Sequence, residues 1–220
     1  MNDFILRNLG VLLLPFIYAL FYFFSPHIHK HAYRYEIGAL LLVLLVPVLE
    51  TLFSAQSVVY DRLIVSGHLS LSLFLLVMFA GVLKKKTVLR KPLDRVRGDM
   101  AILAFILLLP HAQSRLDLAL RGYNSTGLVA FVLFIPLVLT SFMFIRKRMR
   151  PASWKLLHKL SYITYFMIYL HLAFIISLQP GNVYILAARH GLVYHLLLLT
   201  YLVLRLINVV IPRLNTPAKA

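Results

Sequence analysis

Apolar stretches close to the length of a bilayer-spanning helix recur along the chain, at about 9–24, 37–53, 63–83, 98–112, 126–145, 154–178 and 186–211. Such stretches have few ways to fold. A bilayer core holds no water for backbone N–H and C=O groups, so each segment must satisfy them internally, and a helix does so. No alternating apolar/polar run of the kind that builds a membrane barrel is visible. The expectation is an all-α, polytopic membrane helix bundle of about seven transmembrane helices. A chain that is 61% hydrophobic and 14% charged fits that class and departs from the soluble average. The first stretch lacks a basic leader and an A-x-A cleavage site, so it reads as a span and not as a signal peptide.

The formal net charge is +16. Its distribution argues against a nucleic-acid partner, because the basic residues cluster in short segments between apolar spans. With seven spans, 17 Lys and Arg fall on one face (residues 25–36, 84–97, 146–159 and the tail) and five on the other. By the positive-inside rule the N-terminus lies outside and the C-terminus in the cytoplasm, as a multi-pass protein of a bacterial cytoplasmic membrane. The organisation reads as an N-terminal pair of helices (1–62), a helix bundle (63–211) and a polar cytoplasmic tail (212–220). The lipid bilayer is the first partner. There is no Gly-rich phosphate loop or dinucleotide fingerprint, so a nucleotide-dependent step needs another chain.

The chain contains no cysteine. That removes disulfides, thiolate iron–sulfur ligation and covalent haem attachment, and leaves histidine as the main soft ligand. Two histidines stand out. His111 ends the fourth span and His171 lies in the sixth, at matching depth on spans that run in the same direction. Such a pair can clamp one metal of a planar cofactor from both sides, or be two satisfied hydrogen-bonding side chains. His158 precedes His171 by thirteen residues, about 20 Å along a helix, near the opposite membrane face. Thirteen residues before His111 stands Gly98, so His158 has no evident partner there.

His68, at the start of the third span, competes as a ligand or lines that pocket. His195 could face it too, and His190 reads as interfacial. Arg205, inside the last span, is costly in lipid and calls for an anion, a carbonyl or a route to the surface. Glu50 reads as an interfacial carboxylate or a proton relay, with the first favoured. His27, His29 and His31 read as a solvated loop.

Several of these residues form a pattern. Arg95-x-Arg97 leads into an apolar helix ending in His111, and Trp154-x-x-Leu157-His158 is followed by Tyr162 and His171. Over residues 63–211 the pattern resembles the ferric-reductase-like transmembrane domain. Within that family it is most similar to the haem-binding membrane subunit of the bacterial periplasmic methionine-sulfoxide reductase system. Arg205 in LVLRL resembles that subunit's last helix. The resemblance implies haem b, one or two per chain, with His111 and His171 as axial ligands. It places His158 at an inner haem or a flavin (FMN or FAD), and Arg97 and Arg205 beside cofactor anions. It implies electron transfer from a cytoplasmic flavin/NAD(P)H-linked or quinol donor to a periplasmic reductase partner or a metal ion outside. The rival reading is a non-redox membrane protein, a small transporter or assembly partner, whose histidines are structural.

Overall fold

The helix most deeply enclosed in the structure is α6 (His68–Ala80), where an unbroken run from Ser70 to Val77 is buried. The coordinates are a computed structural model and describe residues 3–179, 181–188 and 191–214, with backbone alone at 3, 179 and 213. Pro180, Arg189, His190 and the tail beyond residue 214 lie outside the described residues. The two serines that α6 buries are both satisfied, Ser70 by the Gly67 carbonyl at 2.9 Å and Ser72 by the Gly10 carbonyl at 2.6 Å. A buried hydroxyl without such a partner would be destabilising.

Around α6 the other helices pack in alternating directions. Short α1 (Asp3–Arg7) and α2 (Leu9–Leu12) lead into α3 (Leu14–Lys30), whose Pro15 sits in the first turn, where no N–H is needed. Only His31 separates α3 from α4 (Ala32–Phe53). The expected loop at 25–36 is therefore helical, and His29 bonds Asp99 at 2.9 Å. Pro47 lies within α4 and cannot bond the Val43 carbonyl four residues back. The hydroxyl of Tyr60 reaches that carbonyl instead, at 3.5 Å. Glu50 accepts from the Ser57 N–H at 2.7 Å, and Ser57 in turn caps α5 (Val58–Tyr60). That is the role of a carboxylate holding a turn. A π-helical turn, Asp61–Val65, then leads to Gly67 and α6.

α7 (Arg90–Leu120) is longer than the expected fourth span, because both flanking loops are largely helical. It runs antiparallel to α6, so Gly81 meets Arg97 at one end and Val65 meets His111 at the other. α8 (Thr126–Leu139) stacks Phe134 on Phe74 at 4.1 Å and Phe131 on Phe105 at 5.4 Å. After α9 (Met143–Arg146), the expected sixth span is divided. α10 (Pro151–Leu157) ends at a joint, His158–Lys159, and α11 (Leu160–Ala173) stops well short of residue 178. The remainder is strand β1 (Phe174–Gln179), paired antiparallel with β2 (Asn182–Ala187). Two residues link the strands, and Gly181 at φ +81° supplies the positive dihedral that a tight hairpin favours. α12 (Gly191–Arg205), a second π-helical turn (Leu206–Val210) and α13 (Ile211–Leu214) close the chain.

The protein is thus mostly helical and membrane-embedded. Among the described residues, five helices are long and apolar enough to cross a membrane: Leu9–Lys30, Ala32–Phe53, Val58–Ala80, Arg90–Leu120 and Gly191–Val210. α8 and α11 have 14 residues each, about 21 Å at ~1.5 Å per residue, against a core of about 30 Å. The seven expected spans therefore reduce to five that qualify by length, with α8 and α11 as shorter apolar helices between them.

The hairpin is tied down at Gly122, whose carbonyl accepts from the Leu178 N–H at 2.8 Å. Gly122 has φ +90°, and a Cβ there would collide with the Leu178 carbonyl. Gly122→Val should release the hairpin. Hydrogen exchange of the 174–179 and 182–187 amides should rise at least tenfold, about 1.4 kcal/mol, with α6 unchanged.

Candidate functional site

Three helices converge on one end of the bundle and bring His111 and His171 together. α8 runs antiparallel to both α7 and α11, so the last turn of α11 meets the same end of α8 as His111 does. The His111 and His171 ring centroids are 6.2 Å apart, with planes at 79°. An imidazole nitrogen binds a metal at about 2 Å, and the ring centre lies roughly 1 Å further back. Two axial imidazoles on one metal therefore stand about 6 Å apart, centre to centre. The observed spacing fits.

The surroundings fit as well. The Nδ1 of His111 lies 3.0 Å from the Val65 carbonyl, so in the neutral ring Nδ1 carries the hydrogen and donates it. Nε2 is then the free electron pair, and such a second partner is what orients metal-ligating histidines. The break at Ser66–Gly67, between the π-helical turn and α6, sets the Val65 carbonyl beside the ring. The Nδ1 of His171 is buried and has no hydrogen-bond partner among the described residues. A buried polar atom in that state costs about 1–3 kcal/mol, and this nitrogen lies on the Gly127 side of the ring. The His171 carbonyl accepts from the Asn124 amide at 3.2 Å, which pins the end of α11 to the α7–α8 connection.

Two glycines, Gly67 at the start of the third expected span and Gly127, which was not singled out from the sequence, make room for the rings. A Cβ on Gly67, itself at φ +77°, would lie 3.1 Å from Cγ of His111. A Cβ on Gly127 would lie 2.6 Å from Nδ1 of His171. The available signal was spacing: each glycine stands near the start of an apolar helix, level with a histidine.

The other sequence candidates fall elsewhere. His68 opens α6 and makes no hydrogen bond through its ring to any described residue. Among the described residues no group of three or more His, Cys, Asp or Glu could hold a bare ion. A metal at this site would draw its remaining ligands from a cofactor. His195 shares a hydrogen bond with the Tyr169 hydroxyl at 2.8 Å and packs on Phe174, away from the pair.

His158 sits at the other end of α11, in the joint outside the crossing helices. Its Nε2 is 3.1 Å from the Thr140 hydroxyl, and its ring lies 4.2 Å from that of Trp154. Burial pushes its pKa down to about 4, and the charges of Arg97 and Arg146 act in the same direction. Arg205 lies 4.3 Å over the Tyr162 ring and donates to the Tyr201 hydroxyl at 3.1 Å. Arg97 lies over Gly81. Both arginines belong to the basic end of the bundle, away from the His111–His171 pair.

A polytopic membrane helix bundle with two facing imidazoles near one end is the class that this geometry defines. Comparison with known proteins narrows it. Residues 66–169 match the family described as the ferric reductase like transmembrane component. That stretch carries His68, Arg97, His111 and His158, and His171 follows two residues beyond. The chain is also 33% identical over 155 residues to an uncharacterized protein of Treponema pallidum, covering 64% of this chain and 42% of that protein. The chain therefore spans under half the length of that relative. No solved structure matches.

Gly127→Ala should displace the His171 ring and lower haemin uptake by the purified protein at least tenfold, read by absorbance titration. Gly98→Ala is the control, because nothing lies within 4 Å of a Cβ there. Its uptake should equal that of the parent chain.

Proposed function

We propose that the chain is a b-type cytochrome subunit that carries electrons across the cytoplasmic membrane. The observation that carries this reading is the facing pair His111 and His171, with ring centroids 6.2 Å apart. Haem, when bound, supplies reversible one-electron chemistry, which side chains cannot. His111 and His171 would hold it as ligands, and the match of residues 66–169 to the ferric-reductase-like family supports that assignment.

The chain's own residues do the rest. The Val65 carbonyl holds a proton on Nδ1 of His111 and so keeps Nε2 unprotonated, the state that binds a metal. Gly67 and Gly127 let two helix backbones approach the rings closely enough to set their spacing. The apolar faces of α6, α7, α8 and α11 keep water from the site.

In this reading the chain crosses the membrane seven times, α8 and α11 included. The basic end faces the cytoplasm, and the histidine end, with the N-terminus, faces outward. Electrons enter at the basic end from a flavin/NAD(P)H-linked or quinol donor. They leave at the histidine end to a periplasmic reductase partner or a metal ion. An inner haem or flavin at His158 has less support, since Nε2 there already meets Thr140.

Protein purified after haem-replete expression should show a Soret band that shifts on dithionite reduction. His111→Ala and His171→Ala should each reduce bound haem per chain at least tenfold. His195→Ala and His158→Ala should leave this signal in place. Absence of a Soret band from the parent chain, or full haem in both alanine variants, would contradict the proposal.

A further inference from the structure

α12 is held to the bundle mainly near its ends. At the histidine end the Tyr194 hydroxyl donates to the Arg7 carbonyl at 3.3 Å, and His195 bonds Tyr169. At the basic end Arg205 lies over Tyr162, and just beyond it Asn208 donates to the Val82 carbonyl at 3.1 Å. Between these clamps α12 stands off from α6 and α11. The gap is a groove of about 470 Å³. That is within the roughly 300–1,000 Å³ typical of small-molecule sites.

The groove has two chemically distinct parts. Its length is apolar, floored by Leu75, Ile168 and Leu172 and walled by Leu198 and Leu202. Leu202 is 51% exposed and Phe166 48%, so the open side faces lipid. At its basic end the groove meets a recess of about 100 Å³, and the two share Met78, Tyr162, Tyr165, Tyr201 and Arg205 in their walls. Gly81, Val82, Arg97, Ser161 and Val209 complete the recess.

No carboxylate lines either space. Arg90 is paired with Asp94 at 2.8 Å, and Asp99 with His29 at 2.9 Å, so the nearest acids of α7 are engaged elsewhere. Arg97 has no hydrogen bond or ion pair, and the Tyr165 hydroxyl no hydrogen bond, to any described residue. Two guanidinium groups and a free hydroxyl thus converge where an apolar groove ends. A guanidinium kept within an apolar bundle is costly unless an anion or an aromatic face meets it. Tyrosine rings serve Arg205 in part, and nothing among the described residues serves Arg97.

We propose that the groove between α6, α11 and α12 binds one anionic amphiphile drawn from the bilayer. Its acyl chain lies along Leu75, Ile168, Leu172 and Leu198. Its anionic oxygens meet Arg97, Arg205 and the Tyr165 hydroxyl. A methylene group fills about the volume of a water molecule, ~30 Å³, so the groove suits one acyl chain. Basic recesses between membrane helices at a cytoplasmic surface are the known setting for anionic headgroups. The site is separate from the His111–His171 pair and stands whether or not haem binds there.

Native mass spectrometry of the detergent-solubilised chain, with phosphatidylglycerol and phosphatidylcholine of matched acyl chains, tests this. Phosphatidylglycerol should be retained at least tenfold better than phosphatidylcholine. Arg97→Gln/Arg205→Gln should bring that ratio close to one, whereas Arg97→Lys/Arg205→Lys should keep most of it, which separates charge from folding. Leu198→Trp, which fills the groove, should lower retention of phosphatidylglycerol. A free fatty acid that displaces phosphatidylglycerol would support a carboxylate as the natural head, and failure to displace would support a phosphodiester. Equal retention of the two phospholipids by the parent chain would overturn the proposal. So would an anionic preference that survives in the Gln/Gln variant, because the basic loops would then account for it.

Discussion

A buried imidazole in a membrane bundle has no water to fall back on, and the histidine end of this protein is built around two of them. A ring that is to hold a metal would need one nitrogen free, and a partner at the other nitrogen orients it. His111 meets that need through the Val65 carbonyl, 3.0 Å from Nδ1. That carbonyl is in place because the π-helical turn ends at Ser66–Gly67 and α6 begins anew. The Nδ1 of His171 has no such partner among the described residues; that ring is placed by its backbone, through Asn124, and lies against Gly127. The helix break, the glycines and the order of packing around α6 all serve one 6.2 Å separation.

The two ends of the bundle solve opposite electrostatic problems. The histidine end encloses its rings in largely apolar surroundings. The basic end must place many cations close to lipid. It does so with aromatic faces: Arg146 lies 4.4 Å over Trp154 and Arg205 lies 4.3 Å over Tyr162. Cation–π contacts of this kind are worth about 0.5–2 kcal/mol as water is excluded. α11 joins the two ends, with His171 in its last turn and His158 just before its first.

Much of this was legible in the sequence because bilayer physics permits few answers. Charge-free runs of spanning length could only be helices, and matched depth on spans running the same way marked out His111 and His171. The rest was hidden for specific reasons. An apolar run such as Phe174–Leu178 reads equally well as helix or strand, and the β-branched pair Ile175–Ile176 was the one hint of a strand. Residues 25–36 look like a loop because they are polar, yet α3 runs on to Lys30, α4 starts at Ala32, and His29 meets Asp99. Gly67 and Gly127 carry no chemistry of their own, so their role emerged only when the rings they face were placed. Arg205 called for an anion, a carbonyl or a route to the surface; it meets Tyr201 four residues back on its own helix and Tyr162 on α11, and the second contact depends on how α12 leans against α11.

The central claim is that His111 and His171 bind one metal from opposite sides with their rings nearly perpendicular. Electron paramagnetic resonance of the haem-loaded ferric protein tests this most directly. Two axial imidazoles make the iron low-spin, and ring planes near the observed 79° make its spectrum strongly anisotropic, dominated by one large g value. The account predicts that signal, and predicts its loss in His171→Ala. A high-spin ferric signal from the parent chain, or the rhombic low-spin signal of parallel imidazoles, would contradict it.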